Sequence, residues 1–428
     1  MAGGARHGVT AGSDTAMDDT RRTVEAVWRI EGPRITASVA KMTGDLGLAE
    51  DVAQDAVAEA LAAWPRDGVP VNPGAWLTAV ATRRAIDAWR RRERLNERYV
   101  QIGRSLDEAS DEEWEPIDDD VLRLVFTACH PALSRESQVA LTLRVVGGLT
   151  SAEIARMLLV ETPTVQARIT RAKKTLSAAR IPFATPDPGE WRDRLGSVLG
   201  VIYLVFTEGY AATAGDRWIR PDLADEAIRL GRVVVSLLPR EPEALGLLAL
   251  MEFQRSRFAA RESAGAAVTL ADQDRSRWDR GQIARAIAIL GRADAAAAAR
   301  GHGRGSYALQ AAIAERHAVA ASVDDTDWEE IVALYETLVR VSPSPIAELS
   351  RAVAVSMSSN AAEALPIVDA LRDRGALRGS HLLPSVRGEL LARAGRADEA
   401  RVELLEAARL TTNAAQQRVL REKAASLT

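Results

Sequence analysis

Between Leu149 and Leu176 the apolar positions fall into two short helical runs separated by a break. Ile154, Ala155 and Leu158 form the apolar side of the first, which Thr150 or Ser151 can cap with Glu153 strengthening the start. Leu159 to Glu161 turn the chain. Thr162 is positioned to cap the second helix with Pro163 at its first position. Val165, Ile169, Ala172 and Leu176 then recur at 4-3-4 spacing, a single buried stripe. At roughly 100° per residue the opposite side carries Gln166, Ala167, Thr170, Arg171 and Lys174, with Arg168 nearer the stripe. This is the pattern of a helix-turn-helix whose outer face is suited to base edges and phosphates.

The same periodicity appears upstream. Gly44 to Trp64 predicts an amphipathic helix with Val52, Ala56, Val57, Ala60 and Leu61 inward and Glu50, Asp51, Gln54 and Asp55 on the other face. Val69 to Trp76 is a Pro/Gly-broken loop. A further helix follows, with Leu77, Val80, Ala81, Ile86 and Trp89 inward and Arg83, Arg84, Arg90, Arg91 and Arg92 outward. From about Pro186 helix succeeds helix, with breaks near Asp187-Pro188, Pro239, Gly301 to Gly305, Pro343 to Pro345 and Arg378-Gly379. LGRADAA (Leu290 to Ala296) and RAGRADEA (Arg393 to Ala400) echo one another, which together with Ala-rich paired helices suggests a superhelical array.

Composition agrees with an all-α fold of two to four domains: 428 residues, 47% hydrophobic but only 4% aromatic, with few β-branched runs. The single Cys129 excludes an intramolecular disulfide and fits a reducing cytosol. No apolar run approaches the roughly 20 residues of a membrane span. The first twenty residues lack the apolar core of a signal peptide and read as a disordered leader, with Met17 an alternative start.

The net charge of −4 conceals a local pattern. Arg83 to Arg104 holds eight basic and three acidic residues, Ser105 to Asp120 nine acidic and no basic ones, and Val121 to Pro182 nine basic and three acidic ones. Two basic blocks around an acidic strap can supply phosphate attraction that the whole-chain charge hides.

The ordered motifs xEDxxQD, WLxxVAxRRAIDxxRR and LTSAEIAxxLxVxxxTVQxRIxRAKKxL resemble those of the extracytoplasmic-function (ECF) sigma factors of bacterial RNA polymerase, over about Val24 to Ile181. The continuation, including YLVFTEGYAATAGD and ADQDRSRWD, resembles a subgroup with a large C-terminal extension similar to tetratricopeptide repeats. The resemblance implies a leader over 1–20, sigma region 2 over 21–100, an acidic linker over 101–120, region 4 over 121–182 and the extension over 186–428.

It also implies roles. Asp51, Gln54 and Asp55 would grip the β′ clamp of core RNA polymerase, an acidic face for a basic partner. Asn72, Arg83, Arg84, Asp87, Arg90 and Arg91 would read the −10 element, capturing a base flipped from the duplex. Thr164, Gln166, Ala167, Thr170, Arg171 and Lys174 would read the −35 element, with region 4 on the β flap. The acidic linker suits either mimicry of nucleic acid near the exit path or a plain spacer. The extension is expected to regulate initiation by docking on the sigma regions or holding another protein.

Catalysis is not indicated. Glu208, Tyr210, Asp216, Asp272, Asp274, His317 and His381 come with no metal spacing, nucleophile motif or phosphate loop, so no metal and no cofactor is expected. Buried Asp–Arg pairing between helices would account for the polar residues of TEGYAATAGD and ADQDRSRW, and Cys129-His130 reads as core. Two competing classes remain: a helical scaffold with a vestigial helix-turn-helix, and a one-component repressor acting without polymerase. Neither needs the acidic helix at Asp51 to Asp55.

Overall fold

The computed structural model describes residues 10–93, 118–158, 160–187, 189–210, 219–263, 266–411 and 414–427. The described residues are helical apart from short turns and one two-residue strand pair. The chain divides by packing into two units, 1–201 and 202–428, and each is described by itself.

The first unit opens with three mutually packed helices, α1 (Thr10–Thr43), α2 (Leu46–Asp67) and α3 (Pro73–Glu93). Helix α1 therefore begins inside the segment read as a disordered leader. Asp45 caps α2 by accepting from the Leu48 N–H at 3.0 Å. The buried face of α2 is Leu46, Ala49, Val52, Ala53, Ala56, Ala60 and Trp64, while Leu61, expected inward, is exposed. Alanines every third or fourth residue let α1 and α3 approach closely, and Trp64 meets Trp76 edge to face at 5.6 Å.

Four helices follow: α4 (Asp118–Ala128), α5 (Arg135–Val145), α6 (Ser151–Leu158) and α7 (Thr162–Ala178). The cap at Thr150 is reciprocal, since the Glu153 N–H donates to Thr150 Oγ1 at 3.2 Å and the Thr150 N–H to Glu153 Oε2 at 2.8 Å. Helix α7 starts one residue earlier than its sequence suggests: Glu161 is the cap, without a side-chain bond, and Thr162 is already helical. Its stripe of Val165, Ile169, Ala172 and Leu176 is buried as expected, packing on α5 and α6. Cys129 is core, as anticipated, with its thiol pushed up to about 12 by burial.

Helix α8 (Trp191–Tyr210) crosses the boundary at 201. Its first half packs with α4, where Trp191 lies 5.1 Å from the Phe126 ring and Arg194 Nη2 donates to the Phe126 carbonyl at 3.1 Å. The expected boundary at 182–186 thus falls before a helix whose opening turns belong to the first unit.

The second unit continues with α9 (Pro221–Leu237), α10 (Pro242–Arg255), α11 (Arg280–Ala298), α12 (Ser306–Val319), α13 (Trp328–Val341), α14 (Pro345–Ser358), α15 (Ala361–Asp373), α16 (Leu382–Arg393), α17 (Ala397–Leu410) and α18 (Ala414–Ser426). Most contacts run between successive helices, the one-dimensional packing of a helical array. An antiparallel pair, β1 (Glu262–Ser263) and β2 (Ala266–Ala267), interrupts it with Glu262 opposite Ala267. The echoing motifs are not equivalent: Leu290 to Ala296 lies inside α11, whereas Arg393 to Ala400 makes the α16–α17 turn through Gly395 at φ 76°.

Close helix approach is decided at Gly246. A Cβ there would lie 2.6 Å from the Ala308 backbone nitrogen, and neither α10 nor α12 can yield by rotating a side chain. Gly246→Ala is expected to destabilise the unit by about 1–3 kcal/mol, read as a lower urea midpoint. Gly291→Ala, a helix position with open space around it, should leave the midpoint unchanged or raise it.

Candidate polymerase and promoter interface

Along α7, Thr164, Gln166, Ala167, Thr170, Arg171 and Lys174 are all exposed. The buried stripe behind them holds the helix against α5 and α6, so these side chains stand together on one accessible, basic face. That geometry fits insertion in a major groove, where Gln and Arg can address base edges and Lys a phosphate. Arg168 is half-buried, in line with its position nearer the stripe.

The region 2 candidates are less uniform. Asp51 and Asp55 are exposed on α2 and Gln54 is half-buried. Arg83, Asp87 and Arg90 are exposed on α3, and Arg84 is half-buried. Arg91 belongs to α3, but its side chain lies outside the described residues, as do the side chains of Trp89 and Arg92. Arg84 is partnered: its Nη1 is 3.2 Å from Asp55 Oδ2 and its Nη2 2.7 Å from Glu59 Oε2. A residue expected to face DNA and one expected to face polymerase therefore hold each other. All three side chains keep substantial contact with solvent, so the pairs are weak. Asn72 has a structural task, accepting from the Ala75 N–H at 3.1 Å to cap α3. The acidic linker lies mostly outside the described residues. Its last residue, Asp120, is buried at the start of α4, pairing with Arg123 and, at 3.2 Å, with Lys41.

Sequence reasoning missed the contact between the two regions. Glu50, placed with the solvent-facing acids, is 5% exposed. It accepts from Arg144 Nε at 2.7 Å and from Lys173, which also reaches Asp51 at 2.7 Å. Burial alone would raise the Glu50 pKa, but Arg144 and Lys173 outweigh it and hold the carboxyl below its usual range. Lys173 is shifted the complementary way: burial would lower it, and Glu50 with Asp51 raises it. Arg29 and Glu153 add an exposed pair at 3.3 Å. One local signal existed, since Glu50 lies only about 40° from Leu46 and Trp64 around α2 at roughly 100° per residue, at the edge of the buried arc. Nothing local marks Lys173 as its partner.

The polar residues of the extension also pair differently from the expectation. Asp272 accepts from Thr269, Asp274 from the Ser276 N–H at 2.9 Å, and Asp279 caps α11. Arg275 bonds the carbonyls of His317 and Ala320, each at 2.9 Å, in place of an aspartate. Asp216 lies outside the described residues. His317 is half-buried and pushed down to about 3 by burial and by Arg257 and Arg275. His381 shares a 2.7 Å hydrogen bond with Gln416.

The fold and this surface define a helical protein whose α6–α7 helix-turn-helix presents an exposed basic face. Residues 28–95 match sigma-70 region 2, residues 123–176 sigma-70 region 4, and residues 194–294 a family of unknown function (DUF6596). The ECF RNA polymerase sigma factor SigK of Mycobacterium tuberculosis is 32% identical over 149 residues, 33% of this chain and 78% of that protein. The probable ECF RNA polymerase sigma factor SigI of the same species is 28% identical over 174 residues, 40% of this chain and 59% of that protein. An uncharacterized protein of Rhizobium meliloti is 43% identical over 398 residues, 91% and 92% of the two chains. The chain belongs to the ECF RNA polymerase sigma factors, carrying sigma regions 2 and 4 and a C-terminal helical extension. The family is not enzymatic, and its two regions imply binding to RNA polymerase and promoter DNA. Among the described residues no helix is long and apolar enough to cross a membrane.

Proposed function

We propose that this protein joins core RNA polymerase through the acidic face of α2, at Asp51, Gln54 and Asp55, and directs it to −35/−10 promoters. In this reading α7 enters the major groove of the −35 element, with region 4 on the β flap. Arg83, Arg84, Asp87, Arg90 and Arg91 engage the −10 strand as it melts, and Asn72 shapes the loop before them. The carrying observation is the α7 face: six exposed groove-compatible residues set opposite four buried ones. The acidic α2 helix favours a polymerase partner over an operator-binding repressor or a protein-only scaffold, neither of which needs it. The extension, whose family match names no function, serves in this reading to regulate initiation or hold a protein partner.

The arrangement described is closed. Elements named −35 and −10 lie about 25 base pairs apart, roughly 85 Å of duplex at ~3.4 Å per pair. Lys173 of the −35 helix, however, is 2.7 Å from Asp51 beside the −10 helix. The closed form cannot reach both elements, and Lys173 occupies part of the face assigned to the clamp. Polymerase binding would replace Lys173 with a basic surface of its own and free region 4, a population shift paid by differential affinity.

The test is co-elution of the full-length protein with bacterial core RNA polymerase. Wild type should co-elute and Asp51→Arg should bind at least tenfold more weakly. Lys173→Ala, which uncovers the acidic face without altering it, should bind at least as well as wild type. Absence of wild-type binding, or indifference to Asp51→Arg, would turn the reading to the repressor class.

A further inference from the structure

The second unit contains a buried concentration of positive charge that none of the functions above uses. Arg257, Arg261 and Arg275 are 7%, 4% and 6% exposed. They gather around the rings of Tyr210, Trp278 and Phe258, the last with its centre 6.0 Å from Arg261. The Arg261 guanidinium is 3.4 Å from the centre of the Tyr210 ring, Arg257 is 5.8 Å from both Tyr210 and Trp278, and Arg275 is 5.1 Å from Trp278. No described carboxylate comes within ion-pair distance of any of the three, although Glu262 acts on Arg261 and Asp325 on Arg275 from farther off.

Elsewhere in the unit buried arginines are balanced. Arg220 pairs with Glu208, and Arg387 with Asp369 at 2.8 Å and Glu403 at 2.7 Å. Buried Glu252 likewise has Arg232 at 2.6 Å. The aromatic cluster is therefore an exception to the way this unit treats buried charge.

The three arginines do different work. Arg275 is committed to structure through the His317 and Ala320 carbonyls and Thr326. Arg257 donates to the Tyr210 hydroxyl at 2.5 Å and to Gln254. Arg261 keeps Nε and Nη1 buried without a hydrogen-bond partner, and the nearby Trp278 Nε1 is in the same condition. The local potential is visible on Tyr210: burial would raise its phenol, yet Arg257 and Arg261 pull it below the usual range. Rings shield a cation but do not replace its lost hydration, so an unpaired buried guanidinium and orphaned N–H donors are costly unless something negative joins them.

We propose that a small oxyanion binds here, accepting from one of the two unpartnered edges of the Arg261 guanidinium, Nε or Nη1, with Arg257 alongside and Trp278 Nε1 as a further donor. A carboxylate or phosphate oxygen is the charge-assisted acceptor that a guanidinium N–H takes best, and the near-complete burial of the arginines favours a small group. Tyr210, Arg257, Arg261, Arg275 and Trp278 all fall within residues 194–294, the segment matching the family of unknown function. The extension is thereby assigned a ligand site of its own. This assignment does not depend on the reading of the sigma regions.

The full-length protein should be titrated calorimetrically with inorganic phosphate and, separately, with acetate, at constant ionic strength with chloride as the balancing anion. Saturable binding of one anion per chain is expected in at least one arm, and the stronger arm tells a phosphate-bearing from a carboxylate-bearing ligand. Arg261→Met should weaken it at least tenfold, while Arg277→Met, an exposed arginine on the same segment, should leave it unchanged. Should Arg261→Met fail to fold, the wild-type urea midpoint takes its place: it should rise with the binding anion at fixed ionic strength. No saturable binding in either arm, or binding that Arg261→Met leaves intact, would overturn the proposal. So would an Arg261→Met protein more stable than wild type at every anion concentration, the behaviour of a buried charge with no counter-ion.

Discussion

Glu50→Ala is expected to open the free protein. The carboxylate lies between Arg144 and Lys173, with side chains 15% and 17% exposed, and its loss leaves both cations partly buried without it. Removing one partner from a buried ion network costs about 3–5 kcal/mol. Here the lower figure applies, because Lys173 keeps Asp51 and both cations retain some water. A shift near 3 kcal/mol moves the closed–open equilibrium about a hundredfold. Cysteines at exposed Ala62 on α2 and Ala178 on α7 carry labels for a distance measurement. Cys129 needs no removal, since its buried thiol, pushed up to about 12, does not compete for label.

The same contact is expected to respond to acid. Glu50 titrates below its ordinary 4.5 in the folded state, so its stabilisation is complete above that value and is lost as pH falls through the folded pKa. Wild type should therefore open on acidification below 4.5, while Glu50→Ala is open already. A label distance identical in the two proteins at neutral pH would remove the latch. Greater opening should also raise apparent affinity for core polymerase, because the binding-competent fraction grows.

Arg171→Ala is expected to give the second large effect, on DNA. A lost base-edge or phosphate contact from an exposed arginine on the proposed recognition face costs about 1–3 kcal/mol, roughly 5- to 150-fold in holoenzyme affinity for a −35-containing promoter. If Arg171 contacts a phosphate, the loss will be uniform across sequences and the salt slope will shrink by about one. If it contacts a base, discrimination at one position will relax instead. Binding to core polymerase should not change, because Arg171 faces away from α2. Undiminished promoter affinity at fixed salt would remove Arg171 from the interface.

Comparison of α7 with α2 shows which parts of this protein are legible in its residues alone. Val165, Ile169, Ala172 and Leu176 point inward because a 4-3-4 spacing has only one way to lie on a helix beside a core. The Thr150–Glu153 box is likewise local, closing within a single turn. The exposed face of α7 follows from the buried one by rotation. Family motifs of the same local kind carried the sigma assignment.

Glu50 obeys a different rule. Its charge marks it for solvent, and only the arrival of Arg144 and Lys173, far along the chain, makes its burial tolerable. Arg84 and Asp55 were assigned to separate partners for the same reason: their separate chemistry is legible, their meeting is not. In the extension, aspartates near arginines in sequence suggested pairing, but the backbone placed carbonyls in front of Arg275 and aromatic rings in front of Arg261. Helix identity, facing and the two DNA-binding motifs are thus written in spacing, because hydrophobic periodicity acts within one or two turns. The closed contact and the unpaired arginine cluster emerge only on folding, because the energy of a buried charge depends on which distant groups the fold brings beside it.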